Sequence, residues 1–494
     1  VPDNTLTFVL AVVASLWVLA GVAMRVAAIG IIPARRKPST GMAWLLLVLL
    51  APGLGLIAFA FFGSARLGRR RETALRRINA TIAERAAPLQ ARAQPGADLP
   101  AYVASAVRLN HRLASLPLSH DNTVMLLEDY AGSVAAMTSE VEKAERYVLV
   151  EFYITALDDL TRPLLDALTD AVGRGVEVRL LLDHLGSRGI PGWKDLRRTL
   201  DSSGIAWHPM LPIAPLRGKF RRPDLRNHRK LLVVDGRVGF TGSQNLTEPG
   251  YNKPKNHRLG REWFELMVRL RGPVVATLEA VFASDWALET GEVLDVEPSP
   301  AAGPTEQGEL AGASCQVVPS GPGYEAENNL LLFTTLVYGA TRRLSLTSPY
   351  FVPDESLLYA VTTAARRGVE VELFVSEVSD QFMVGHAQNS YYEALLEAGV
   401  RIHRYPAPAI LHAKHFSVDD DVVVIGSSNM DQRSFALNFE VSLMMTGADV
   451  VAAVREVEDH YRAVSKELTL EEWSQRGPGK RYVDTVMRLT AALQ

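Results

Sequence analysis

"NHRKLLVVDGRVGFTGSQN" (residues 227–245) sets a histidine, a lysine, an aspartate and a Gly-Ser-x-Asn between two apolar runs. In an extended segment residues i and i+2 face the same side, so His228 and Lys230 project into one pocket. The stretch returns in the second half of the chain. "LHAKHFSVDDDVVVIGSSN" (411–429) carries His412, Lys414, Asp419, Gly426, Ser427 and Asn429 at the spacing of His228, Lys230, Asp235, Gly242, Ser243 and Asn245. One such histidine is as readily a satisfied core residue as a catalyst, whereas two in register, each continued in full, are no accident of composition.

The repetition extends beyond the motif. "RPLLDALTDAVGRGVEVRLLLD" (162–183) is echoed by "ESLLYAVTTAARRGVEVELFVS" (355–376), a helical pattern, Arg-Gly and a Val-rich strand in each case. The units are longer than solenoid repeats, so the reading is a duplicated α/β domain in which each lobe is a β-sheet flanked by helices. The first lobe is expected over 118–291 and the second over 315–494. Between them the Pro-, Gly- and Glu-rich stretch 292–314 reads as a linker.

With 494 residues and 48% hydrophobic content the chain exceeds one core and is too apolar for disorder. A net charge of -3 supplies no global basic field for nucleic acid, and the single Cys315 excludes an intramolecular disulfide framework or a cysteine zinc site. The N-terminal residues 1–65 read as a membrane hairpin with spans near 6–24 and 42–62, both free of charge. A signal peptide is disfavoured because Asp3 sits where basic residues belong. Pro52, Gly53 and Gly55 leave the second span kinked or partly re-entrant. Arg25, Arg35, Arg36 and Lys37 lie between the spans, and Arg66, Arg69, Arg70, Arg71, Arg76 and Arg77 come after the second. Six against four favours both ends in the cytoplasm. Residues 66–117 form a basic linker whose first part reads as a helix near an anionic surface, or as a plain solvated connection.

A lysine beside each histidine opposes a divalent metal at the imidazole, so no metal is expected and an anionic substrate is favoured. Lys230 and Lys414, with Ser243, Asn245, Ser427 and Asn429 as phosphate-binding donors, would surround a tetrahedral phosphate and stabilise charge built in the transition state. His228 and His412 remain for bond and proton chemistry, one neutral as nucleophile and one protonated as acid. An acidic partner would fix each tautomer; Glu265 in "REWFELMVRLRGP" and Glu440 in "RSFALNFEVSLMM" stand in apolar runs where a carboxylate needs a partner. Asp235 and Asp419 complete the catalytic motif, though at strand ends they read as structural turn residues. His415 would point away from His412. The basic run Arg217, Lys219, Arg221, Arg222, Arg226 and Arg229 reads as an attractor of anionic headgroups or a charged surface loop. Trp193, Trp207, Met210, Leu211 and Ile213 read as an acyl-chain groove or as core.

Paired H-x-K-x4-D-x6-G-S-x-N motifs resemble those of the phospholipase D superfamily. Within it "TSPYFVPD", "FASDWALETGE" and "GSSNMDQRSFALNFEVSL" are similar to the bacterial cardiolipin synthases. Two departures stand out: "YITALDDLTRPLLDAL" lacks a Gly after the Asp, and Glu265 occupies a position where many relatives carry Asp. The resemblance implies two lobes meeting at a pseudo-twofold interface and no cofactor. It implies transfer of a phosphatidyl group from one phosphatidylglycerol to another, giving cardiolipin and glycerol. His228 would be the nucleophile and His412 the general acid and then base, roles that near-symmetry could exchange. Glu440 would orient His228, and Glu265 would orient His412. It also implies a multi-pass protein of the bacterial cytoplasmic membrane, acting on bilayer lipid and not on nucleic acid. A membrane-bound hydrolase or transphosphatidylase of other phospholipids is the alternative within the fold, and an inactive anionic-lipid-binding scaffold the alternative outside it. The intact histidines and lysines of both motifs speak against the scaffold.

Overall fold

Proline at position 52 decides the shape of the second apolar segment. Its ring has no N–H to donate and disfavours a helical residue before it, so the helix must break there. The computed structural model describes residues 3–34, 38–63, 71, 73–78, 80, 99–213, 224–324 and 326–491. The chain divides into two compact units, Val1–Arg66 and Leu67–Gln494.

In the first unit α1 (Asp3–Ile31) continues past the expected end at residue 24. Its apolar stretch Thr7–Ile31 has 25 residues, about 37 Å of helix against a hydrocarbon core of about 30 Å. Among the described residues it is the one helix long and apolar enough to cross a membrane. The second apolar segment, expected as a kinked or partly re-entrant span, is two helices, α2 (Pro38–Leu50) and α3 (Pro52–Phe62), separated at Ala51 with φ −133° and ψ 72°. Gly55 lets α3 fold back on α2, because a Cβ there would lie 2.7 Å from the Val48 Cα. Trp44 and Phe59 meet edge to face at 5.5 Å across the pair. Val48 also packs with Ala28 and Ile32. With 13 and 11 residues each half is about 20 Å or less, too short to cross alone.

The second unit is built on one continuous sheet. Strands β1 (Ser119–Leu127), β2 (Tyr147–Phe152), β3 (Glu177–Asp183), β4 (Ala206–Met210), β5 (Lys230–Val234), β6 (Val238–Gly242) and β7 (Met267–Arg271) belong to the first lobe. The second contributes β8 (Leu310–Ser320), β9 (Arg343–Thr347), β10 (Glu370–Ser376), β11 (Arg401–Tyr405), β12 (His415–Val418), β13 (Val422–Gly426) and β14 (Asn438–Thr446), with β15 (Lys466–Leu468) at its edge. The spatial order β4-β3-β2-β5-β6-β7-β1 is repeated as β11-β10-β9-β12-β13-β14-β8, and β1 pairs antiparallel with β8 to join the halves. Within each lobe the three outer strands of this order run parallel, and antiparallel hairpins come next.

Helices α4 (Val274–Thr290), α5 (Phe382–Glu397) and α6 (Ala448–Val464) pack against this sheet, and α7 (Pro478–Arg488) packs on α5. The equivalent helices α4 and α6 each come directly after the last strand of a lobe's hairpin set and share one core. Val233 and Val268 of the first lobe pack there with Val423 and Leu443 of the second. The lobes therefore form one body. Strand β8 begins inside the expected linker, where Glu309 is held by Arg269 and Arg271. The segment expected as basic linker holds a helix, Ala101–Ala114, whose Val103 and Ala106 pack in the second lobe's core. Of its arginines, Arg71 pairs with Glu289 and is not free to face a bilayer; Arg69 and Arg70 lie outside the described residues.

Candidate active site

Each histidine is tied to the opposite lobe. Arg226–Asn227 pairs in parallel with Asn438–Phe439, and the His228 amide donates to the Phe439 carbonyl at 2.8 Å. Ile410–Leu411 pairs likewise with Trp263–Phe264, and the His412 amide donates to the Phe264 carbonyl at 2.7 Å. The next residue along each partner strand is a glutamate, so register alone carries Glu440 to His228 and Glu265 to His412. His228 Nδ1 lies 3.0 Å from Glu440 Oε2 and 3.0 Å from the Ser427 carbonyl. His412 Nδ1 lies 2.6 Å from Glu265 Oε1. With Nδ1 engaged, each ring turns Nε2 to the site.

Lys230 and Lys414 are buried beside these rings, as period-two alternation requires. Each Nζ donates to the carbonyl of its own histidine at 2.6 Å, and Lys414 Nζ is also 3.0 Å from His412 Nδ1. Two tyrosines complete the walls. The Tyr153 ring meets His228 edge to face at 5.0 Å, and Tyr350 meets His412 at 6.2 Å with its hydroxyl on Asp380 at 2.8 Å. Both come just after equivalent strands, β2 and β9, so the repeated Tyr of "VEFYI" and "TSPYF" was the available signal for residues that motif spacing passes over.

Other expected residues have different tasks. The Ser243 hydroxyl donates to the Leu266 carbonyl and accepts from its amide; the Ser427 hydroxyl donates to Glu440 and accepts from the Val441 amide. Both are thus committed to the segments that carry the glutamates, which corrects their reading as phosphate donors. The glycines before them are required for that approach, since a Cβ at Gly242 or Gly426 would sit 2.4 or 2.3 Å from the carbonyl oxygens of Leu266 and Val441. Asn245 bridges the Ile154 amide and the Tyr251 hydroxyl. Asn429 Oδ1 is buried with no hydrogen bond among the described residues.

Asp235 and Asp419, counted with the catalytic motif but read as turn residues, lie at the far end of their strands, about 16 Å of extended chain from the lysines, where each holds backbone amides. Asp235 accepts from the amides of Glu145, Arg146 and Tyr147 at 2.8–3.0 Å. Asp419 accepts from those of Thr341, Arg342 and Arg343 at comparable distances. His415 is buried beside Tyr461, away from the site.

Of the basic run, Arg217, Lys219, Arg221 and Arg222 lie outside the described residues. Arg226 is buried on Asp183 and Arg229 on Asp285, so neither is offered to a headgroup. Met210 and Leu211 are core with Leu225 and Phe439, Trp193 and Trp207 meet edge to face at 6.5 Å, and Ile213 donates its amide to His184.

Electrostatics separate the two histidines. Burial, with the charges of Lys230 and Lys414, holds His228 well below the ordinary histidine value. Burial also lowers His412, but the Glu265 carboxylate pulls the other way. Burial brings Lys230 down to about 7 and Lys414 to about 8, in both cases against glutamate charges, and pushes Glu440 up to about 7 against Lys230. A phosphodiester anion between the two lysines would favour their charged forms.

The family model described as "Cardiolipin synthase, PLD-like domain" matches residues 137–286 and 334–462. The chain is 34% identical to cardiolipin synthase A of Pectobacterium atrosepticum over 475 residues, 95% of each chain. It is 34% identical to cardiolipin synthase A of Proteus mirabilis over 463 residues, 93% of each. Among solved structures, phosphatidylserine synthase of Haemophilus influenzae shares the fold with a TM-score of 0.60 at 15% identity, covering 78% of this chain and 99% of that one.

Proposed function

The chain belongs to the phospholipase D-like cardiolipin synthases and is a membrane-associated phosphatidyltransferase, and from that premise we propose that it converts two phosphatidylglycerols into cardiolipin and glycerol through a phosphohistidine at His228. The observation that carries the assignment is the pair of His–Glu contacts made across the lobes, with His228 the more firmly neutral of the two rings. A neutral Nε2 can attack phosphorus; the ring with the closer carboxylate can hold a proton.

In the first half-reaction His228 Nε2 bonds to phosphorus as the bond to the headgroup glycerol oxygen breaks. His412 gives that oxygen its proton, and glycerol leaves. In the second, a headgroup hydroxyl of another phosphatidylglycerol loses its proton to His412 and attacks the phosphorus, and the P–N bond breaks to free His228. One phosphodiester is exchanged for another, so no nucleotide is consumed. Lys230 and Lys414 offset the charge that gathers on the non-bridging oxygens, and we assign Asn245 and Asn429 the role of further amide donors to the phosphate. Glu440 and Glu265 orient the rings and stabilise whichever is cationic.

We place the catalytic body at the cytoplasmic face of a bacterial membrane, because six arginines come closely after the apolar segment. In this arrangement α1 crosses the bilayer, and α2 and α3 enter it as a bent pair.

The test is a lipid product assay on detergent-purified protein with phosphatidylglycerol and excess chelator. Cardiolipin and glycerol in equal amounts are expected. Phosphatidic acid alone would make the protein a hydrolase, and no turnover would leave a lipid-binding scaffold.

A further inference from the structure

The site lies at one edge of the sheet, past the carboxyl ends of the parallel strands, where Tyr153 just after β2 meets His228. On the second lobe this edge is marked by Ser376 at the end of β10, whose hydroxyl takes the Leu411 amide at 2.8 Å beside His412. The loops leaving β9 and β10 bring Tyr350 and Asp380 to the same place. Helix α5 starts two residues after Asp380, so its first turn stands on the rim of the site.

That first turn is apolar and outward. Phe382 is 68% exposed and Met383 43%. Helix α7 lies alongside α5 and runs parallel to it: His386 Nδ1 meets Asp484 at 2.6 Å, and Arg488 lies over the Tyr391 ring at 4.7 Å, a constant offset along both helices. The start of α7 therefore reaches the same rim, with Tyr482 71% exposed and Lys480 and Arg481 exposed beside it. Of the acidic groups nearby, Asp380 takes the Tyr350 hydroxyl, the exposed Glu377 takes the Ala407 amide, and Asp484 is paired with His386 and Arg476. On the first turns of the two helices the outward-facing charged groups are cationic, beside aromatic rings and a thioether.

We propose that the rim formed by Phe382, Met383, Lys480, Arg481 and Tyr482 is a docking surface for an anionic phospholipid bilayer. A two-chain phospholipid does not leave the bilayer readily, since every methylene loses its apolar surroundings, so a site that takes two of them must be brought to the lipid. Aromatic rings and Met enter the headgroup boundary, while Lys and Arg meet anionic headgroups. The inference rests on the proposed use of phosphatidylglycerol, which is both the substrate and the anionic lipid. It assigns the body a lipid contact of its own, distinct from α1.

The test uses the full chain in vesicles. Cys315 is buried, so a bimane label goes to an introduced cysteine. Labels at Phe382→Cys and Tyr482→Cys are compared with one at Arg366→Cys, an exposed position at the opposite edge of the sheet, using lipids brominated along the acyl chain. Bimane at 382 and 482 should be quenched, more strongly as phosphatidylglycerol replaces phosphatidylcholine, and bimane at 366 should not. No quenching at 382 and 482 in vesicles that do accumulate cardiolipin would overturn the docking surface and leave the functional reading intact. Quenching at the rim without cardiolipin would uphold the surface and remove the proposed reaction.

Discussion

Arg229 and Asp285 form an ion pair in which each side chain is 1% exposed, and the same guanidinium donates through Nε to the Glu440 carbonyl at 3.0 Å. Asp285 thus helps to position the residue that holds His228. No such pair backs His412, because Ala413 stands where Arg229 does in the first motif. Asp285→Asn would strand a buried guanidinium and should lower stability by about 3–5 kcal/mol. Glu151, packed against Asp285, is pushed well up by burial, with Asp285 adding to the shift. Burial thus favours its neutral form, so Glu151→Gln should be close to silent. Thermal unfolding of the two variants checks this; equal losses would contradict a neutral Glu151.

The roles of the two histidines separate by trapping. His412→Asn should slow glycerol release by about 10²–10⁴-fold while still allowing a phosphorylated His228 to form and persist. His228→Asn should yield no phosphoprotein at all. Acid-labile lipid phosphate on protein, tracked after mixing with labelled phosphatidylglycerol, reads both. Phosphoprotein in His228→Asn would reverse the assignment.

Anion binding should take up protons. Burial holds Lys230 at about 7 in the free site, so at pH 8 most of it is neutral. A bound phosphate raises that value, and Lys230 then gains a proton. At pH 6 Lys230 is already charged, and its share of the uptake should vanish. Titration calorimetry with inorganic phosphate in two buffers of different ionisation enthalpy measures this. Uptake independent of pH would place the charge elsewhere.

Asp235 links stability to pH. Burial alone would raise its carboxyl, but the amides of Glu145, Tyr147 and Arg146 outweigh that and hold it below the ordinary value. A depressed folded-state pKa adds stability that is complete above the unfolded value of about 3.9 and fades as pH falls through the folded one. Asp235→Asn should therefore cost about 1–3 kcal/mol at pH 7, with the gap to the parent narrowing toward pH 3. A constant difference down to pH 3 would mean that charge is not what those amides need.

Several features are legible in the sequence, each for a local reason. His228 with Lys230 and His412 with Lys414 share a face because a strand alternates with period two. The repeated helix-to-strand pattern announces two like lobes, and the sheet order repeats strand for strand. Asp235 and Asp419 read as turn residues, and their positive φ angles of 52° and 48° place them in turns. The break in the second apolar segment is legible too: hydropathy counts residues, while Pro52 and Gly55 decide whether they form one rod, and the helix ends at Leu50 and restarts at Pro52.

The sequence by itself determined the paired His-Lys motifs, the duplicated α/β plan and the apolar N-terminal helix, all of which rest on repetition, composition and short-range periodicity. Which glutamate serves which histidine was implied by the family resemblance but by no local pattern, and tertiary structure makes the contacts, since His228 and Glu440 are 212 residues apart and His412 and Glu265 are 147 apart. It also decided that the Ser243 hydroxyl is held by backbone and the Ser427 hydroxyl by Glu440 and backbone, that Arg226 and Arg229 are buried, and that the two helices behind the rim lie side by side. Each of these depends on which distant backbone a side chain meets once the lobes share one sheet, and no local pattern carries that information.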